Sequence, residues 1–227
     1  MTYTAYVTVR LNSKRVPKKS IKKIGGSSLV NTAITKLNQI TSLNEIILYC
    51  SDDSIQNYIT GNVNYNFIKR PSEFDGDFVT FNDILDSLID NIKTDYIVFL
   101  CVTSPFISVE TINDMIEKVE SKKYDSSFLA YEINSFCWYD NKPLNYIIST
   151  PDVNPEYANL INRTQDLKPV VVENTGLYIF SVDLYKKHKR RIGFNPYIKV
   201  VDELEAWDID TPEDFEIAKL IGKKYGS

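Results

Sequence analysis

Val7-Thr8-Val9-Arg10-Leu11-Asn12-Ser13-Lys14-Arg15-Val16-Pro17-Lys18-Lys19 is the stretch on which the fold turns. The β-branched run Val7 to Val9 reads as a strand. It releases the chain into the basic residues Arg10, Lys14, Arg15 and Lys19, with Asn12 and Ser13 between them. Pro17 stiffens the exit. Backbone N–H groups together with guanidinium and ammonium groups hold anions well. On charge alone, a solvated basic surface loop is the simpler reading. Position favours the other, because a loop that leaves the first strand of an α/β pattern is where phosphate-bearing ligands bind.

The rest of the chain supplies that pattern. Ala5 to Val9 is the first strand, and Gly25-Gly26 marks a turn. Leu29, Val30, Ala33, Ile34, Leu37 and Ile40 recur at helical spacing. Glu45 to Cys50 is a buried-strand run, and Ser51-Asp52-Asp53-Ser54 caps a short helix through Ile59. Asn66 to Lys69 is a third strand, ending at Arg70-Pro71. Phe81, Ile84, Leu85, Leu88 and Ile92 make the next helical stripe. Asp95 to Cys101 is the most apolar strand. Val109, Ile112, Ile116 and Val119 predict another helix, and Ser126 to Tyr131 another strand. Such alternation predicts a mainly parallel sheet covered by helices, with right-handed crossovers.

From 134 to 173 the alternation stops. Phe136, Trp138, Tyr139, Pro143, Tyr146, Pro151, Pro155 and Tyr157 punctuate a segment without a helical stripe. It reads as a strand lobe inserted in a single domain of residues 1–227, too small to hold a core of its own. Its aromatic residues need another surface, either the main body or a second subunit. Regular alternation resumes at Gly176-Leu177-Tyr178-Ile179-Phe180. The chain closes with Asp208-Ile209-Asp210-Thr211-Pro212 and a helix through about Lys223, for which Thr211 is a good N-cap and Pro212 a good first residue.

Composition excludes several classes. The chain has 227 residues, 43% hydrophobic and 25% charged, which suits one globular core. A net charge of −4 argues against a nucleic-acid polymer or an anionic membrane as the main partner. No run approaches the ~18 apolar residues of a membrane span. Met1-Thr2-Tyr3-Thr4 lacks the basic-then-apolar order of a signal peptide, so a cytoplasmic protein is expected. Cys50, Cys101 and Cys137 are odd in number and widely spaced, which fits a reducing compartment. His188 is the only histidine, so a histidine-dependent hydrolase is excluded as the leading reading.

Arg10-x-x-Ser13-x-x-x-Pro17-x-Lys19 resembles the nucleotide-binding signature of the sugar-acid cytidylyltransferases, which make CMP-sialic acid, CMP-Kdo and related CMP-nonulosonates. Leu11 and Asn12 stand where the sialic-type loop carries two glycines. Arg70-Pro71-Ser72-Glu73 with Asp77 and Thr80 is similar to that family's Arg-Pro-x-Glu segment. Val102-Thr103-Ser104-Pro105 is similar to its Gln-Pro-Thr-Ser-Pro, with Cys101 in place of Gln and Ile107 where an Arg commonly follows. Lys142 to Tyr146 and Arg163 to Leu167 resemble its dimerisation segment. Glu173 to Tyr178 resembles its Asn-Gly-Ala-x-Tyr motif, with Thr175 in the Asn position.

The resemblance implies a Rossmann-like, GT-A-like nucleotidyltransferase sheet with helices on both faces and a dimerisation lobe. It also implies transfer of CMP from CTP to a 2-keto-3-deoxy sugar acid, for surface glycan biosynthesis, by a homodimer. Arg10, Leu11, Asn12, Ser13, Lys14, Arg15, Lys19, Arg70, Asp77, Thr80, Cys101, Thr103 and Ser104 would then meet the nucleotide. Arg163, Gln165, Thr175 and Tyr178 would meet the acceptor. Asp208 and Asp210 share a face if their segment is extended, a geometry suited to Mg²⁺. Alone, that pair reads more simply as acidity favoured at a helix start; the resemblance reverses the preference. Arg10, Lys19, Asp208 and Asp210 are the expected catalytic set. Cys101 ends a buried run and is expected to pack rather than act as a nucleophile. Two alternatives stand beside this reading: the same fold with another acceptor or nucleotide, and a catalytically silent binding homologue.

Overall fold

The computed structural model describes residues 1–146 and 163–225. Pro151, Pro155 and Tyr157 of the expected lobe lie outside the described residues. A seven-stranded sheet organises the chain. Its first strands are β1 (Tyr3–Val9), β4 (Glu45–Cys50), β5 (Asn66–Lys69) and β6 (Tyr96–Leu100). β7 (Ser126–Ile133), β10 (Val170–Ser181) and β11 (Pro196–Val200) complete it. The spatial order is β11-β7-β10-β6-β1-β4-β5. β1 runs parallel to β4 and β6, β4 to β5, and β7 to β11; β10 is antiparallel to both β6 and β7. The sheet is therefore mainly parallel, as the alternation predicts, with one reversed strand inside it.

Period-two alternation sends successive strand side chains to opposite faces. On one face, Val7, Leu48, Val98, Leu100, Leu129 and Ile179 pack under α1 (Leu29–Leu37), α3 (Val109–Glu120) and α5 (Pro212–Tyr225). On the other, Tyr6, Ile47, Phe99, Phe128, Tyr178 and Phe180 pack under α2 (Phe81–Leu88) and α4 (Val182–His188). Helices thus cover both faces. Most begin on a local cap. Ser28 caps α1, Thr80 with Asp83 makes a capping box at α2, Ser108 caps α3 and Ser181 caps α4. At α5 the Asp214 amide donates to Thr211 Oγ1, and the Thr211 amide donates to Asp214 Oδ2.

Four features add to the sequence reading or depart from it. Gly25-Gly26 turns a small hairpin of β2 (Lys23–Ile24) and β3 (Ser27–Ser28); both glycines have positive φ, 59° and 93°. β10 begins at Val170, so residues 170–173 belong to the sheet rather than to a separate lobe. α4 and β11 fill the stretch between β10 and the acidic segment. The left-handed residue of the basic loop is Lys18, at φ 54°, not Leu11 or Asn12. What is described of the lobe is a hairpin, β8 (Trp138–Tyr139) with β9 (Lys142–Pro143), and a 3-10 turn over Thr164–Asp166. No helix among the described residues is long and apolar enough to cross a membrane.

Candidate active site

β1, β4, β5 and β6 are parallel, so their carboxyl ends share one edge, and the loops that follow them meet there. The basic loop after Val9 is exposed at Arg10, Asn12, Lys14 and Arg15, while Ser13 is half-buried and Leu11 packs on the core. Lys18 turns left-handed and swings Lys19 back toward the sheet. The Lys19 side chain is 12% exposed; its ammonium donates to the Ile209 carbonyl and lies 3.5 Å from Asp210 Oδ1. Arg15 Nη2 lies 3.0 Å from the same oxygen. Two ends of the chain far apart in sequence therefore converge on one cationic–anionic cluster.

Ile209 is fully buried while Asp208 and Asp210 are half-exposed on either side of it. That alternation supports the expected shared face. Thr103 donates to Asp208 Oδ1, and Ser104 Oγ lies 3.2 Å from it. The Ile209 amide donates to the Thr103 carbonyl at 2.9 Å, locking the acidic segment to the loop after β6. Asp208 Oδ2 takes no hydrogen bond from the described residues and remains available. No cluster of three or more His, Cys, Asp or Glu that could hold a metal occurs among the described residues. Two hard carboxylates are what Mg²⁺ needs when substrate phosphates and water complete its shell, so the donor set fits.

Cys101 is half-buried at the end of β6, with Sγ 3.1 Å from Thr103 Oγ1. Burial pushes its thiol pKa up, so it packs as a neutral group, as expected. Ile107 is fully buried and does not reach the cleft.

Arg70 takes a different place from the one expected. Its guanidinium is buried beneath the first loop. Nη1 donates to Thr8 Oγ1 at 2.6 Å, and Nη2 to the Val9 carbonyl at 2.9 Å and to Asp75. It anchors the exit of β1 rather than presenting a free cation. Thr80 is likewise committed, to the α2 capping box. Asp77 pairs with Lys14, whose hydrogen bond holds the carboxyl below the usual range; Arg10 adds to the effect. This pair ties the segment after Arg70 to the cationic loop.

The motif expected to meet the acceptor lies on β10. Because β10 runs backwards, its first residues sit at the same edge as the carboxyl ends of its neighbours. The register slips between Asn174 and Tyr178, leaving Thr175, Gly176 and Leu177 bulged from β7. Asn174 Oδ1 accepts the Gly176 amide at 2.8 Å, and the Gly176 carbonyl accepts the Cys101 amide at 2.8 Å. Thr175 is exposed into a cavity of about 380 Å³, whose wall also includes Glu173, Glu203, Trp207 and Asp208. Tyr178 is fully buried, with its hydroxyl on Glu173, so it shapes the wall through Glu173 instead of facing the cavity. Arg163 and Gln165 sit on the exposed Thr164–Asp166 turn. Arg163 pairs with Asp166 at 2.7 Å, and neither residue lines this cavity.

Three residues that hold the site escaped the sequence reading. The Lys36 ammonium, on the flank of α1, donates to the Pro105 carbonyl and, at 2.8 Å, to the Ile107 carbonyl. Glu205 accepts the Ser108 amide and hydroxyl, each at 2.8 Å. Together they clamp the loop that carries Thr103 and Ser104. Arg191 pairs with Glu173 at 3.3 Å.

Comparison with known proteins gives the same outline. A model described as Cytidylyltransferase matches residues 4–224. The N-acylneuraminate cytidylyltransferase of Streptococcus agalactiae is 24% identical over 213 residues, covering 92% of this chain and 50% of that protein. The chain thus spans about half the length of the curated relatives it matches. Among solved structures, a CMP:2-keto-3-deoxy-manno-octonic acid synthetase complexed with CTP superposes with a TM-score of 0.68 at 13% identity, covering 99% of this chain and all of that one. The 4-diphosphocytidyl-2C-methyl-D-erythritol synthase of Anaerococcus prevotii gives 0.65 at 15% identity, covering 98% and 96%. These superpositions show a Rossmann-like nucleotidyltransferase fold.

Proposed function

The chain belongs to the cytidylyltransferase family, and we propose that it transfers CMP from CTP to the anomeric hydroxyl of a 2-keto-3-deoxy sugar acid, with release of pyrophosphate. The observation that carries this reading is the convergence of Lys19 and Arg15 on Asp210, beside an Asp208 held by Thr103 and Ser104. The names of the relatives support a sialic acid-like nonulosonate or a Kdo-like acid as acceptor.

In this reading the hydroxyl oxygen bonds to the α-phosphorus, the bond to the pyrophosphate oxygen breaks, and the hydroxyl proton passes to water. Such a step needs positioning and charge neutralisation more than covalent help. Arg10, Lys14 and Arg15 hold the outer phosphates, with Asn12 and Ser13 lining the loop. Lys19, the most enclosed cation of the loop, contacts the α-phosphate. Asp208 and Asp210 hold Mg²⁺, which supplies further neutralisation of phosphate charge when bound. Thr103 and Ser104 fix the Asp208 carboxylate through its Oδ1, and Thr175 faces the acceptor.

The protein acts as a homodimer through the lobe. Trp138 and Tyr139 are 55% and 76% exposed, and Phe136 and Leu144 lie near them in sequence, also exposed. Phe136 and Trp138 both pack edge-on against Tyr146, and an exposed aromatic group of this kind supports an interface. Arg163 and Gln165 then serve the neighbouring subunit's sugar site.

A second reading, the same chemistry on another acceptor, is favoured by Cys101 and by the burial of Ile107. Pyrophosphate release from CTP, measured against a panel of 2-keto-3-deoxy acids and alditol phosphates, separates the two. Release with an acid is expected. Release only with an alditol phosphate selects the second reading, and CTP binding without turnover on any acceptor marks a silent homologue.

A further inference from the structure

The cavity beside Asp208 contains a contradiction for an anionic acceptor. Glu173, Glu203, Asp208 and Asp214 line it, and no lysine or arginine does so among the described residues. A carboxylate entering there needs a cation with hydrogen-bond donors in a fixed plane. Arg191 is not among the lining residues and meets this wall through Glu173, its ion-pair partner. It belongs to the loop between α4 and β11, where Lys189 at φ 54° ends the helix and turns the chain back.

The Arg191 guanidinium lies 4.3 Å from the Tyr178 ring centroid and 5.2 Å from that of Phe81. Two aromatic rings thus fix its position, which reduces the freedom lost on binding. Its ion pair is a single contact, from Nη2 to Glu173 Oε1 at 3.3 Å. That oxygen also accepts the Tyr178 hydroxyl, so Glu173 divides its charge between two donors. The Arg191 side chain is 31% exposed. Arg70, by contrast, is buried and divided among Thr8, Val9 and Asp75, and Arg163 is held by both oxygens of Asp166.

We propose that Arg191 binds the carboxylate of the acceptor, taking it as a second partner beside Glu173. Arg191 is then the residue that makes the cavity selective for acids over neutral sugars. The inference rests on the acid-acceptor reading above and names a residue for it.

The test uses steady-state kinetics on the acid turned over fastest by the wild type, and on its carboxamide. In the wild type, the carboxamide has a KM at least about tenfold above that of the acid, as expected for a lost charged hydrogen bond. Arg191→Met, which keeps an apolar side chain against the rings, raises the acid KM by at least about tenfold. It leaves the carboxamide KM and the CTP KM within about twofold. Arg191→Lys keeps the charge and falls between the two. Equal KM values for acid and carboxamide in the wild type overturn the proposal, without depending on any variant's folding. So does an acid KM that Arg191→Met leaves unchanged, or one that rises together with the CTP and carboxamide values. A wild type that turns over no acid overturns the acid-acceptor reading first, and the two failures are distinct.

Discussion

Replacing Gly176 with alanine places a methyl carbon 2.6 Å from Ser104 Oγ, 2.6 Å from Asn174 Oδ1 and 2.7 Å from Ile107 Cδ1. Each is well inside van der Waals contact, and each neighbour is the end of a buried side chain that has a task. Asn174 Oδ1 accepts the Gly176 amide, its Nδ2 donates to the Ala206 carbonyl at 2.6 Å, and Ser104 lies against Asp208. Overpacking of this kind costs ~1–3 kcal/mol, and losing one buried hydrogen bond adds about 1. The expected loss is therefore roughly 2–4 kcal/mol in urea unfolding with an unchanged m value. That corresponds to a fall in Tm of roughly 4–16 °C for a chain of this size. Because Ser104 must move, pyrophosphate release with CTP should slow at temperatures where the variant is still folded. A loss under about 0.5 kcal/mol with unaltered turnover would refute the claim that the bulge is packed against the Asp208 support.

Lys19→Ala should lower turnover at least roughly tenfold, since a charged contact at a reacting phosphate is worth on the order of 1.4 kcal/mol or more; unchanged turnover in a folded variant removes Lys19 from the chemistry. Asp210→Asn should raise the Mg²⁺ concentration needed for half-maximal rate while preserving the fold, and a wild-type Mg²⁺ dependence would leave Asp210 only as the partner of Arg15 and Lys19. Burial lowers the Lys36 ammonium from 10.5 to about 8, with Glu205 opposing. In the interval between those values the unfolded chain binds more protons, so stability rises with pH there. Wild type should gain ~2 kcal/mol over Lys36→Met between about pH 7.5 and 9.5 in denaturant unfolding, and a flat difference would contradict the depressed value. Trp138→Glu should yield a monomer in sedimentation at micromolar concentration; a wild type that is already monomeric and fully active ends the dimer proposal.

Strand and helix positions were legible wherever burial imposes a period. Tyr96 to Leu100 and the α3 stripe are clear because every apolar residue there meets the core. The reversal of β10 leaves no trace in hydropathy, since its interior is buried on both faces whichever way it runs. β11 was missed because it opens with Pro196 and is half-exposed along its length. In the site, the charged loop and the Asp208–Asp210 segment were legible as sequence features, and the fold brings them together. The place of Arg70 was not legible, because a cation after a strand looks the same whether it faces a ligand or anchors the strand before it. Lys36, Glu205 and Arg191 act on residues roughly 20 to 100 positions away, a relation that no local pattern encodes.

The reversed strand also sets how the sheet holds together. β5, β4, β1 and β6 are neighbours drawn from the first hundred residues, whereas β7 and β11 join them only through β10. Without β10 the sheet is two pieces, β5-β4-β1-β6 and β7-β11. β10 works as a zipper between those pieces, and Glu173, Asn174 and Thr175 ride on it. Any local opening that frees this strand dismantles the Glu173–Thr175 wall of the cavity at the same moment, while the basic loop after β1 stays on the other piece. Half of the cleft is thus carried by the β5-β4-β1-β6 part of the sheet, and half exists only when the zipper is shut.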